Sequence, residues 1–178
     1  MQHQRRIVNM SISTSAFRSQ GKPLTIKSTR ELLYKFDLNN FKKSLENETY
    51  VDYLDAQTAF LLEKLADKYQ VKWGTIRKGL NLFFRDVFYS AFMNRELGLK
   101  DSYFGQLEVP LDSYTGIGIL EDANKIAPTK LKWTTIKELT PEKSKQIQDF
   151  AKVVAKKIYQ LDCAADLDLI YWKREQAA

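Results

Sequence analysis

Lys78, Arg85 and Tyr89 are spaced seven and four residues apart, so a helix through them carries all three on one face. An amine attacks an electrophilic carbon only after losing its proton, and neighbouring positive charge or partial burial eases that loss. Lys78 has Arg77 beside it and Arg85 two turns on, and a helix predicted from Thr75 puts it in the first turn, near the positive end of the helix dipole. For a lysine taken alone, a solvated helix edge is the commoner role. Asp112 follows Val109-Pro110-Leu111 and precedes Ser113-Tyr114-Thr115, a setting that predicts an N-cap. The bond that caps a helix also holds an ionised carboxylate rigidly, as an electrostatic catalyst requires. Asp168 and Trp172 lie one helical turn apart. An indole face that stacks and a carboxylate that accepts N–H bonds suit a planar heterocycle such as a nucleobase; a core tryptophan beside a solvated aspartate is the plain structural alternative.

The rest of the composition narrows the chemistry. Cys163 and His3 are the only cysteine and histidine of the 178 residues. Within this chain they leave no Ser-His-Asp triad, no Cys-His pair, no disulfide and no cysteine- or histidine-rich metal centre. Catalysis would fall to Lys, Asp, Glu, Tyr or Ser, or to a metal held by oxygens alone; the expectation adopted has neither a cofactor nor a metal. The 28 Lys and Arg against 22 Asp and Glu give a net charge of +6, which draws the protein toward polyanions, nucleic acid first. No apolar run has the length of a membrane span, and Met1-Gln2-His3-Gln4-Arg5-Arg6 lacks the apolar core of a signal peptide. A cytoplasmic protein with no membrane partner is therefore the expectation.

The elements that must position these groups read as helices throughout. Residues 1–28, rich in Ser, Gln, Lys and Arg and broken by Gly21-Lys22-Pro23, are predicted to form a basic, poorly ordered arm. Residues 29–178 form the predicted helical domain. Its first helix runs from Thr29 to about Glu46 on Leu32, Leu33, Phe36 and Phe41, and its second spans 50 to 69 on Val51, Leu54, Leu61, Leu62 and Leu65. From Thr75 to Leu97 apolar residues cover more than one stripe, which predicts a helix at the centre of the fold, stopped at Gly98. A short helix from Asp112 to about Glu121, one opening at Thr140-Pro141, and a last one from Cys163 to Lys173 complete the set. There is no internal repeat and no trustworthy strand pattern, so the predicted class is all-α.

Taken together, Lys78-Gly-Leu-Asn-Leu-Phe-Phe-Arg85-Asp-Val-Phe-Tyr89, Val109-Pro110-Leu111-Asp112-Ser113 and the terminal Asp168 and Trp172 resemble the helix-hairpin-helix DNA glycosylase superfamily. The likeness is greatest to its archaeal 8-oxoguanine glycosylase branch and extends over roughly Trp73 to Trp172. Val71-Lys72-Trp73-Gly74 departs from the glycine-flanked hairpin of that superfamily. The resemblance implies a compact fold of two helical halves with a DNA-binding cleft between them. It implies Lys78 as nucleophile, Asp112 as catalytic carboxylate, and Asp168 and Trp172 as the holders of a flipped base. Arg77 and Arg85 are expected to contact DNA. The implied partner is double-stranded DNA carrying a modified base, met by a monomer. The base would be 8-oxoguanine or another modified base, such as a hypermodified cytosine of phage DNA, which would make the chain a defence enzyme; β-lyase cleavage of the strand would accompany its removal in a bifunctional enzyme. Two other readings stand beside this one: a non-catalytic helical DNA-binding protein, and a helical interaction protein of regulation or phage defence.

Overall fold

The computed structural model describes residues 2–14, 16, 17 and 23–172. Among them the chain is helical and holds no strand: α1 (Gln2–Ser11), α2 (Pro23–Leu33), α3 (Leu38–Glu46), α4 (Tyr50–Tyr69), α5 (Trp73–Tyr89), α6 (Ala91–Leu97), α7 (Ser113–Ile126), α8 (Pro141–Val154) and α9 (Leu167–Tyr171). No helix is long and apolar enough to cross a membrane among these residues.

Several helix boundaries follow from local chemistry. Gly98 takes a left-handed φ of 61° at the end of α6, where its N–H bonds back to the Arg95 and Asn94 carbonyls. Thr140 caps α8 through the Lys143 N–H, with Pro141 at the first helical position. Other boundaries differ from the sequence expectation. The span from Thr29 to Glu46 is two helices rather than one, because Asp37 turns its side chain onto the Asn39 N–H at 2.9 Å and restarts the chain as α3. The central stretch is likewise broken at Ser90, which adopts extended backbone and caps α6 through the Met93 N–H. α7 runs on to Ile126. The terminal helix is short: a 3-10 turn over Ala164–Asp166 leads into α9, and the predicted end at Lys173 lies outside the described residues.

The larger correction concerns residues 1–28, expected to be a poorly ordered arm. Gln2–Ser11 form α1, α2 begins at Pro23, and Ile7, Val8, Ile12 and Phe17 are buried. A few apolar residues at helical spacing outweigh a polar average when a matching surface waits for them. α5 supplies that surface at Gly79, where a Cβ would come within 2.7 Å of the Phe17 ring and 3.3 Å of Ile12. The missing side chain lets the N-terminal segment lie directly against the central helix.

Buried side chains divide into two clusters. The first gathers α1 to α6 around Phe41, Phe83 and Phe84, with Leu107 from the following segment. The second gathers Val109, Leu111, Ile119, Ile147, Val154 and Leu167 from the segment before α7, from α7, α8 and α9. The chain crosses from one to the other at Glu108. Near its end it straddles both, since Cys163 and Ala165 belong to the first cluster while Ala164 and Leu167 belong to the second.

A candidate active site at the seam between the two clusters

α5 is buried almost around its girth, its polar side chains Thr75, Arg77, Lys78, Asn81 and Arg85 included. Burial favours a partner for each, and the charged ones have one, whereas the Thr75 hydroxyl has none among the described residues. Lys78 is only 9% exposed. Its Nζ donates to Asp112 Oδ2 at 3.2 Å and to the Ala16 carbonyl at 3.1 Å, so the N-terminal segment and the α7 cap hold the amine from two sides. Asp112 uses its other oxygen, Oδ1, to accept the Thr115 N–H at 3.1 Å, which caps α7. One carboxylate thus serves as both helix cap and lysine partner.

Beside this pair lies a second one. Asp168, 7% exposed, accepts from Arg85 through Oδ2 and from the Thr115 hydroxyl through Oδ1, the latter at 3.1 Å. Burial raises the Asp168 pKa above the usual carboxylate value; the charge and hydrogen bond of Arg85 oppose that rise, and the nearby Asp112 carboxylate adds to it. The two carboxylates therefore lie side by side between the two cations, in the order Lys78, Asp112, Asp168 and Arg85. Arg85 also bonds to Asp86. Farther along α5, Tyr89 donates to Asp166.

The segment carrying Asp112 is itself clamped. Gln148 of α8 accepts from the Val109 N–H at 3.0 Å and donates to the Val109 carbonyl at 2.8 Å, giving an extended stretch the partners that a strand neighbour would otherwise supply. One residue earlier, Glu108 receives Arg77 through two parallel bonds of 2.8 and 2.7 Å.

No family model, curated protein or solved structure matches this chain. The geometry of the site is thus what a functional reading has to rest on.

The six residues expected at the site take three placements. Lys78, Asp112, Asp168 and Arg85 come together in one network. Trp172 ends α9, 51% exposed, and its N–H bonds to the Asp168 carbonyl at 2.9 Å. Arg77 stands apart: it is 4% exposed, and besides Glu108 it reaches Asp55 at 2.5 Å and Thr58 at 3.3 Å. Burial alone would lower its pKa, but the hydrogen bonds and charges of Glu108 and then Asp55 hold it above the usual arginine value. Arg77 and Arg85, expected to contact DNA, are both buried and paired with carboxylates, because a charged group on the central helix can be buried only when paired. Lys78 also stands farther from the start of its helix than expected. α5 begins at Trp73, so Lys78 lies in its second turn, where the dipole of the helix end has faded.

Thr115, Glu108 and Gln148 escaped the sequence reading. A threonine three residues into a helix capped by aspartate, and a glutamate just before Val109-Pro110-Leu111-Asp112, are weak signals; Gln148 gave none, since an amide on an amphipathic helix is ordinarily a solvated residue. Trp73 opens α5 and lies under the Arg77 guanidinium at 5.4 Å. Gln57 lines a separate surface hollow with Lys35, Phe36, Asp37, Asn40, Tyr53 and Phe60.

Proposed function

We propose that this chain is a DNA glycosylase that excises a modified base through Lys78 and Asp112. What supports the reading is one contact: a largely buried lysine amine 3.2 Å from a carboxylate that is fixed as a helix cap. An amine nucleophile needs a base at hydrogen-bond distance to take its proton, and a cationic sugar needs a fixed negative charge.

In the proposed reaction the ammonium of Lys78 passes a proton to Asp112 Oδ2. The freed lone pair forms a bond to the sugar C1′ as the C1′–N bond to the base breaks; that electron pair leaves with the base, and the proton on Asp112 is relayed to it. Opening of the sugar ring leaves a Schiff base, from which loss of a C2′ proton and of the 3′ phosphate would cut the strand. Trp172 would stack on the flipped base, and Asp168 would accept from its N–H groups. A carboxylate has about four lone-pair sites; Arg85 and Thr115 take one each, leaving acceptor capacity for a base. Uracil and thymine show a single ring N–H on that edge. Guanine-type bases such as 8-oxoguanine, and amino-bearing cytosines including hypermodified ones of phage DNA, offer more and suit the site better.

The test is borohydride trapping on a panel of duplexes carrying 8-oxoguanine, a hypermodified cytosine, uracil or a preformed abasic site. The expected result is a covalent protein–DNA adduct with at least the abasic duplex, together with release of one modified base, both lost in Lys78→Gln. Salt-sensitive DNA binding with no adduct on any duplex would leave a non-catalytic DNA-binding protein in place of the enzyme.

A further inference from the structure

Thr115 is fully buried and is the residue that touches both carboxylates of the site. Its main-chain N–H reaches Asp112 Oδ1 and its hydroxyl reaches Asp168 Oδ1, each at 3.1 Å. A threonine within a helix commonly turns its hydroxyl back onto the carbonyl four residues earlier, as Thr29 does toward Thr25 at 2.8 Å and Thr58 toward Leu54 at 2.7 Å. Thr115, in the first turn of α7, has no helical carbonyl four residues earlier, since Leu111 precedes the cap, and its hydroxyl turns to Asp168 of α9. Each carboxylate then has one oxygen on a cation and the other on Thr115, in the order Lys78, Asp112, Thr115, Asp168, Arg85.

We propose that Thr115 is a positioning residue that holds the base-reading carboxylate of Asp168 in register with the catalytic carboxylate of Asp112. The proposal rests on the base-excision reading above. A base bound to Asp168 sits at the right height for its sugar to face Lys78 only if the distance from α9 to the first turn of α7 is fixed. A β-branched side chain with few rotamers, on a capped helix end, sets that distance. An abasic sugar has no base to register, so its capture by Lys78 does not depend on this link.

The experiment uses the full chain, with Thr115→Val, which keeps the shape and the main-chain N–H but removes the hydroxyl, and Thr115→Ser, which restores it. Single-turnover release of whichever panel base the wild type excises is measured beside borohydride trapping on abasic duplex. The expected result is release slowed about 10- to 100-fold in Thr115→Val, as for loss of one hydrogen bond to a charged group, with abasic trapping unchanged and release recovered in Thr115→Ser. The double variant Thr115→Val/Asp168→Asn should release base no more slowly than Asp168→Asn alone. Unchanged release, equal loss of both reactions, or no recovery with serine would overturn the proposal. Should Thr115→Val fail to fold, Thr115→Ala takes its place with the same readouts. A wild-type chain that neither releases a base nor traps abasic DNA would overturn the base-excision reading and this proposal with it, whereas a competent wild type whose Thr115 variants slow both reactions alike removes this proposal alone.

Discussion

Lys78 has three N–H bonds to place when charged, and the fold provides acceptors for two of them, Asp112 Oδ2 and the Ala16 carbonyl. Transfer of the proton that faces Asp112 to its Oδ2 leaves the bond to the Ala16 carbonyl in place, so that carbonyl holds the amine while its lone pair is freed for attack. Asp112 has two duties that a single substitution separates. Asparagine caps a helix about as well as aspartate, but it carries no charge and takes no proton from an amine. Asp112→Asn is therefore expected to stay folded by circular dichroism while losing base release by about 10²–10³-fold, the scale of removing one preorganised electrostatic group from a transition state. Loss of the folded state in that variant would assign Asp112 a structural role instead.

At the level of elements, the site is made by four short pieces meeting α5: the N-terminal segment at Ala16, the extended stretch before α7, the first turn of α7, and α9. None could hold position alone. The stretch is held by Gln148, and α9, only five residues long, is anchored from its far side. There Asp122 of α7, with 5% exposure, accepts from the Tyr171 hydroxyl at 2.6 Å, from Tyr159 at 2.7 Å and from Lys125 at 2.5 Å. Gly118 makes room for the Tyr171 ring, which would stand 2.4 Å from any Cβ there. Burial alone would raise the Asp122 pKa, but the hydrogen bonds from Lys125, Tyr171 and Tyr159 outweigh it and hold the carboxyl below its ordinary value of 3.8. A carboxyl lowered in the folded state stabilises the fold above its unfolded pKa, and that contribution is lost as pH falls from 3.8 through the folded value. Denaturant unfolding across pH 3–7 is expected to show an acid-side loss of stability in the wild type that is shallower in Asp122→Asn. An equally steep acid limb in the variant would show that Asp122 contributes nothing to it.

For the whole molecule, the polar seam is what joins two hydrophobic clusters into one body. Arg77 and Glu108 lie where the chain crosses between them, both nearly inaccessible to solvent. Removing one partner of a buried pair leaves the other charge stranded, which costs about 3–5 kcal/mol, whereas replacing both by apolar groups is often neutral. Arg77→Met should accordingly lower the unfolding free energy on that scale, and Arg77→Met/Glu108→Leu should recover much of it, measured by urea titration. A mild effect of the single variant would mean that the Asn81 amide, which donates to Glu108 at 3.2 Å, is enough to satisfy the carboxylate left behind. Either outcome bears on stability first; weakened DNA binding without loss of stability would return Arg77 to the role first expected of it.

The sequence by itself determined what local chemistry controls. It showed that the chain is helical, that α4 spans a long periodic stretch, that α6 stops at Gly98, that α8 starts at Thr140-Pro141, and that Asp112 caps a helix. Each depends on residues within a turn or two of one another, so spacing and type suffice. It also showed that Lys78, Arg85 and Tyr89 share a face, but not what that face meets. Only the tertiary structure decided that Lys78 and Arg85 turn inward to Asp112 and Asp168 while Tyr89 meets Asp166 at the surface, that Arg77 closes on Glu108, and that the polar N-terminal segment lies over Gly79 and Lys78. A polar residue reads the same in sequence whether water or a distant carboxylate satisfies it; the choice is made by packing, where burial leaves a charge no partner except the one the fold brings to it.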